Sequence, residues 1–156
     1  MTWNIVLDSS CDLTPQHALK NAEIKIAPLT IRVGDKEFVD DETIDVPMLL
    51  DAMEKEKSAS STACPPPAAF YEHFVTADNV ICICITSNLS GTYNAAVQAA
   101  EMVKEEYPEK NVHVLNSWST AGEMVLIARK ADQLIGEGLP FAEVVEKLEE
   151  YTQEVR

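Results

Sequence analysis

The chain has 156 residues, 46% of them hydrophobic, which suits one domain with a sizeable core. Its 26 acidic and 12 basic side chains give a formal net charge of -14 and a pI near 4.5. That field repels phosphate backbones and anionic membrane surfaces, so nucleic acid is excluded as a natural partner. The sequence opens without a basic leader, and no stretch approaches the ~18 consecutive apolar residues of a spanning helix. A cytoplasmic protein without stable membrane insertion is expected.

Trp3 to Leu7 reads as a first strand and runs into the polar cluster Asp8-Ser-Ser-Cys-Asp12. Thr14 and Pro15 then form an N-cap and first-turn pair for a short helix. Ile24 to Ala27 and Leu29 to Val33 are extended in character, and Gly34-Asp35 predicts a hairpin turn into Glu37-Phe-Val39. Asp45 caps a helix through about Lys55, with Pro47 in its first turn. The Ser/Ala/Pro stretch from Ser58 to Pro67 reads as a loop. Pro67 starts a helix through Val75, and Val80 to Ile85 has the unbroken β-branched content of a buried central strand.

After the loop Thr86-Ser-Asn-Leu-Ser-Gly91, a helix begins at Thr92. Ala95, Ala96, Ala99, Ala100 and Val103 recur on it at helical spacing to about Tyr107, and Pro108 ends it. Val112 to Leu115 is the next strand. Asn116-Ser-Trp-Ser119 leads into a helix with Met124, Ile127, Ala128, Ala131 and Ile135 on one face, stopping at Gly136 and Gly138, and a last helix starts near Pro140. Strands alternating with helices predict an α/β fold with a mainly parallel sheet flanked by helices, Rossmann-like in its layering.

Ligands of open parallel sheets bind outside the carboxyl ends of the strands, where loops meet helix N-termini. Three polar loops follow apolar strands here: Asp8-Ser9-Ser10, Ser87 to Thr92, and Asn116-Ser117-Trp-Ser119. If their strands are parallel neighbours, the loops share one rim. Within the second, Ser90, Gly91 and Thr92 stand at a helix start, where a glycine admits a ligand to free N–H groups and two hydroxyls point outward. Such an end favours an anion. Simple N-capping by Ser90 is the commoner role for such a residue, and the sequence alone leaves both open.

Catalytic readings are weaker. Ser90 lacks the leading glycine of a nucleophile elbow, and His17, His73 and His113 end none of the three loops, which reads them as surface or strand histidines. Asp8 as a phosphotransferase nucleophile lacks a second acid two residues on, where Ser10 stands. Asp8 and Ser9 are instead expected to scaffold the loop hydroxyls. A hydrolase or phosphotransferase using Ser90 or Asp8 is one alternative, and a non-catalytic interaction module is another. Cys82 and Cys84 form a C-x-C pair without the two further ligands of a closed zinc site and read as core thiols, so no metal is expected. Cys11 and Cys64 fall in polar loops, where a thiol is open to reaction.

Taken together, Ile5-Val-Leu-Asp-Ser-Ser-Cys-Asp-Leu13, Pro28-Leu29 followed by Gly34, and Ile85-Thr-Ser-Asn-Leu-Ser-Gly-Thr-Tyr-Asn-Ala-Ala96 resemble the DegV family over nearly the whole chain. Val114-Leu-Asn-Ser117 stands where the family usually reads Val-Ile-Asp-Ser. The resemblance implies a bacterial, non-catalytic carrier that binds a long-chain fatty acid, takes no cofactor, and serves a fatty acid kinase catalytic subunit that forms acyl phosphate with ATP. It implies that Thr62, Ser90, Gly91 and Thr92, with Ser10 and Ser117 on the same rim, surround the ligand carboxylate, and that the acyl chain enters an apolar tunnel. The family loop typically reads Thr-Ser-Gln-Pro. Here it is Thr62-Ala63-Cys64-Pro65, so Thr62 keeps its hydroxyl while Ala63 and Cys64 replace two polar side chains. Family chains run to about twice this length, so residues 1–156 resemble the N-terminal domain, and the C-terminal domain that would cover the cleft is expected to be absent from this chain.

Overall fold

A computed structural model describes residues 1–13 and 19–155. Its main sheet holds four strands, β1 (Trp3–Asp8), β2 (Glu23–Ala27), β6 (Asn79–Cys84) and β7 (Asn111–Asn116), all parallel in the order β2-β1-β6-β7. A smaller antiparallel sheet is built from β3 (Thr30–Val33), β4 (Lys36–Val39) and β5 (Ser61–Ala63), with β3 in the centre. Five helices complete the described residues: α1 (Val46–Lys55), α2 (Pro67–Phe74), α3 (Thr92–Glu106), α4 (Ala121–Gly136) and α5 (Phe141–Glu154). The fold is the expected α/β layering.

The central strands explain the two-sided core. Every residue of β6 is buried, as its uninterrupted apolar sequence demands of a strand covered on both faces. Successive side chains point to opposite faces. Ile5, Leu7, Ile81 and Ile83 pack with Met124, Ile127, Ala128 and Leu148 of α4 and α5. Val6, Val80, Cys82 and Cys84 pack on the other side with Phe70, Phe74, Ala96 and Ala99 of α2 and α3. The alanines let α3 lie close to both the sheet and α2. A third, small cluster of Val33, Phe38, Leu49 and Ala52 joins α1 to the second sheet.

Local chemistry sets the boundaries. Asp45 caps α1, its side chain accepting from Met48 N–H at 2.9 Å. Gly34 (φ 57) makes the β3–β4 turn in the left-handed region, and Gly138 (φ 74) does the same just after α4. The 58–67 segment departs from the expected loop. Its residues Ser61 to Ala63 pair antiparallel with β3, Thr62 opposite Ile31, because the exposed edge of a two-stranded hairpin offers unpaired backbone groups to a passing extended segment. The helix expected from Thr14 and Pro15 lies outside the described residues.

The return of the chain into β2 is fixed by Asp132 of α4, which is 8% exposed. Its carboxylate accepts from the backbone N–H of Lys20, Asn21 and Ala22 at 3.1, 2.8 and 3.1 Å. Removing it strands three donors in a partly buried loop. Asp132→Ala is expected to lower the unfolding free energy by roughly 1.5–3 kcal/mol, the scale of a charge-assisted hydrogen bond plus unsatisfied donors. Urea unfolding checks this, and an unchanged midpoint contradicts it.

Candidate functional site

Because β1, β6 and β7 are adjacent and parallel, their carboxyl ends and the loops that follow stand side by side. The three polar loops therefore share one rim, and hydrogen bonds join them. Asp8, fully buried at the end of β1, accepts from Ile85 N–H at 2.7 Å, which links the first loop to the second. Its other oxygen accepts from Ser10 N–H at 3.0 Å and from the Ser10 hydroxyl. Ser9 Oγ accepts from Leu29 N–H at 3.0 Å and ties the rim to the start of the second sheet.

The second and third loops meet through Thr86 and Asn116. Thr86 N–H donates to the Ser119 carbonyl at 2.9 Å, while the Thr86 carbonyl accepts from Leu89 and Ser90 N–H at 3.1 and 3.3 Å. Asn116 accepts from Ser87 N–H at 3.2 Å and Trp118 N–H at 3.1 Å, and donates to Ser87 Oγ at 2.7 Å. Ser117, fully buried, accepts from Ser119 N–H at 3.1 Å and donates to the Ser119 carbonyl at 3.0 Å. Trp118 (φ 57) and Ala121 (φ 46) both sit in the left-handed region, at a cost on the order of 1–3 kcal/mol each. The hydrogen bonds around them hold that conformation in place.

Two helices begin on this rim, and they begin differently. At α3 the N-cap position is Gly91 rather than Ser90; no side chain caps the helix, and no acidic residue stands in its first turn. Ser90 Oγ lies 2.8 Å from Thr92 Oγ1 and accepts weakly from Thr92 N–H at 3.3 Å. Ser90 and Gly91 reach the surface while Thr92 is buried. This leaves the positive end of a 15-residue helix at the surface beside the Ser90 hydroxyl, with the Thr92 hydroxyl buried behind it. At α4, Thr120 and Glu123 have the spacing of a capping box, yet Thr120 makes no side-chain cap bond. Glu123 instead accepts from Ser119 Oγ at 2.6 Å.

Thr62 is exposed on β5, and Cys64 lies two residues further along. A Cβ on Gly91 would stand 3.5 Å from Cys64 Sγ, so the segment after β5 rests against the start of α3. In extended backbone, residues two apart share a side, which puts Thr62 on the Cys64 side of its strand. Ser10 faces the first turn of α4, its Oγ 3.5 Å from Met124 Sδ. The rim thus gathers Ser10, Ser90, Gly91, Thr92 and Ser117 from the sequence-predicted set, with Asp8 and Ser9 bonded beneath them.

Sequence reasoning missed the clamp by Asn116, the junction at Thr86 and the place of Glu123. The visible signal for Asn116 was its position directly after a strand at the head of the third polar loop. Cys11 differs from its expectation as a reactive loop thiol: it is 5% exposed, and burial pushes its pKa up to about 11. Cys82 and Cys84 are buried core thiols, as their strand sequence suggested. His73 Nε2 lies 3.0 Å from the Ile26 carbonyl and His113 Nε2 2.9 Å from Glu149 Oε1, both away from Ser90. His17 lies outside the described residues. A groove of about 540 Å3 runs along β7 and α3, lined by Val97, Lys104 and Val112 among others, and shares only Tyr93 with the start of α3. Among the described residues no helix is long and apolar enough to cross a membrane.

Burial raises the Asp8 carboxyl above its ordinary 3.8, against the lowering effect of its Ser10 and Ile85 donors. The native state then holds this proton more tightly than the unfolded chain, so Asp8's contribution to stability falls as pH rises from 3.8 through the raised native value. Asp8→Asn removes that dependence. The stability gap between wild type and variant is expected to shrink from about pH 4 to about pH 7 in urea unfolding. A gap that stays constant or widens over the range argues against the shift.

With this geometry in place, comparisons with known proteins agree along the chain. A family model described as an uncharacterised protein of the DegV family matches residues 2–156. DegV domain-containing proteins of Streptococcus gordonii and Streptococcus pneumoniae serotype 4 are each 37% identical over the full chain and 56% of their own lengths. Among solved structures, the Streptococcus pneumoniae fatty acid kinase B3 protein loaded with linoleic acid is 38% identical with a TM-score of 0.90, covering 98% of this chain and 55% of that one. A DegV family protein from Eubacterium eligens loaded with heptadecanoic acid has the same identity and TM-score, covering 97% of this chain and 54% of that one. The chain spans about half the length of the curated relatives it matches.

Proposed function

The chain belongs to the DegV family, and from that premise we propose that it binds a long-chain fatty acid with the carboxylate at the start of α3. The observation that carries this reading is the helix end itself: Ser90 and Gly91 present a hydroxyl and a helix N-terminus without a capping side chain, braced by the buried Thr92 hydroxyl, on the rim where parallel sheets bind ligands. Thr62 forms the facing wall, and Ser10 and Ser117 support it from the neighbouring loops. The solved relatives that hold linoleic and heptadecanoic acid support the ligand class.

The energetics assign separate tasks to the two ends of the ligand. Each buried methylene contributes about 0.8 kcal/mol, so a tail of ~16 carbons offers on the order of 12 kcal/mol before ordering costs. The tail gives affinity and overcomes the repulsion of a chain carrying -14. Leu89 (73% exposed) and Trp118 (46% exposed) present apolar surface on the same loops, and an apolar tunnel continues from there in this reading. A charge-assisted hydrogen bond at the head adds ~1.5–3 kcal/mol and selects acid over ester or alcohol.

In the same reading residues 1–156 form the N-terminal domain of a carrier, a C-terminal domain covers the cleft, and a fatty acid kinase catalytic subunit receives the bound acid for acyl-phosphate formation. The chain's own part is to bind and orient the acid. The test titrates hexadecanoate into the 156-residue chain and into its fusion with the C-terminal half of the Streptococcus gordonii relative, read by calorimetry and native mass spectrometry. Ser90→Ala is expected to weaken binding by about tenfold or more, and Thr62→Ala by a smaller factor. Absence of any acyl ligand in both forms refutes the proposal.

A further inference from the structure

Away from the rim, an apolar stripe of α1 faces solvent. Of the eleven large apolar residues exposed among the described residues, four, Val46, Met48, Leu50 and Met53, belong to this ten-residue helix. Val46, Leu50 and Met53 stand at i, i+4 and i+7, so they form one stripe, each between 43% and 57% exposed. The stripe adjoins the face that Leu49 and Ala52 bury against Val33 and Phe38, a cluster of only four buried residues. A thin core thus packs α1 on one side. Single exposed apolar side chains are ordinary, whereas a contiguous stripe bordered by charge marks a contact surface. The border here is acidic. From Asp35 in the β3–β4 turn to the Glu56 cap of α1, 22 residues hold nine acidic and two basic side chains, which is half of the chain's net -14. Of the cations beside the stripe, Lys55 pairs with Asp51 and Arg32 with Glu37, each at 2.7 Å. Glu54, one residue after Met53 and four after Leu50, is exposed along the stripe's solvent side.

We propose that the Val46, Leu50 and Met53 face of α1 docks a partner protein, through a helix of that partner whose apolar stripe is edged by lysine and arginine. The inference goes beyond the fatty-acid reading and does not depend on it. Charge complementarity selects this occupant. A second copy would set one strongly acidic patch against another, and the same field repels an anionic bilayer. Basic edges opposite Glu54 gain attraction while the three apolar side chains are covered, the pattern of an amphipathic helix read by its i, i+4 and i+7 anchors. The unbranched Met53 side chain adapts to the contour of whatever helix lies on it.

The test titrates the 156-residue chain into a fluorescein-labelled helix of leucine and lysine, about 18 residues or five turns long, and reads anisotropy. Wild type is expected to bind this probe, more weakly as salt rises. Leu50→Ser combined with Met53→Ser should weaken binding about tenfold, since both side chains lie inside the contact. Glu54→Lys should weaken it about threefold at low salt by reversing the border charge. Met102→Ser combined with Leu126→Ser, exposed on α3 and α4, should leave it unchanged. A scrambled peptide of the same composition carries the charge without the stripe, and its weaker binding should ignore Leu50→Ser with Met53→Ser. All the substituted side chains are exposed, so urea midpoints should stay at the wild-type value. Equal probe affinity in wild type and the Leu50→Ser, Met53→Ser variant overturns the proposal, as does Glu54→Lys binding as tightly as wild type. Binding to phosphatidylcholine vesicles, or a dimer in sedimentation, that requires Leu50 and Met53 also overturns it by making a lipid surface or a second copy the occupant.

Discussion

The rim depends on a buried carboxylate that belongs to no ion pair among the described residues. Asp8 ends the first strand inside the protein, where an isolated charge is costly, and the donors that compensate it come from two different loops. One oxygen folds the Ser10 turn back on itself. The other takes the Ile85 N–H just as the chain leaves β6. Two strand ends are thereby locked at a fixed offset, and the loops that leave them have defined starting points. A hydroxyl at position 8 could satisfy one of these donors but not both sides of the junction. The position of Ser90 is inherited from this bond through Thr86, which bonds Ser90 on one side and Ser119 on the other.

An acidic protein that holds an anion must keep its own carboxylates away from the site or neutralise them. Asp8 does the second at the carboxyl ends of the strands, and Asp132 does so at the opposite, amino end of β2. Asp132 is enclosed by the backbone of residues 20–22, and Asp8 by the rim loops. Much of the remaining negative charge lies on exposed surface, where ionic strength screens it over about 10 Å. The helix dipole at α3 acts at contact distance and is not diluted in this way. Net charge therefore says little about what the rim can bind.

The fold was legible in the sequence wherever burial is two-sided or a cap is explicit. The unbroken apolar run at 80–85 marked the central strand to within one residue, and Asp45 with Pro47 marked α1. The three loops on one rim also followed, since parallel order places consecutive carboxyl ends together. What the sequence left ambiguous was decided by tertiary pairing. Ser90 has the residue type of an N-cap, but Gly91 takes the cap position, which leaves the Ser90 hydroxyl to Thr92. Thr120 and Glu123 have the spacing of a capping box, but Ser119 reaches the carboxylate first. In both cases a local motif competes with a neighbouring hydroxyl, and the tertiary setting of the loop decides which prevails.

The second sheet matters to the site through register. β5 has only three residues, and Thr62 is its middle one, paired with Ile31. Side chains alternate along a strand, so a slip of one residue would turn Thr62 away and bring Ala63, which has no hydroxyl, to the same side. Three contiguous prolines, Pro65 to Pro67, follow immediately and limit such a slip, because each fixes φ and lacks an N–H for pairing. At the other end the β3–β4 hairpin turns on left-handed Gly34, where a Cβ would stand 2.3 Å from Glu56 Oε2 just beyond α1. A larger residue at position 34 would displace the flexible Glu56 carboxylate and strain the left-handed turn. In the proposed reading the Thr62 wall is thus positioned by residues that never meet the ligand, through the pairing of β5 with a hairpin whose own geometry requires glycine.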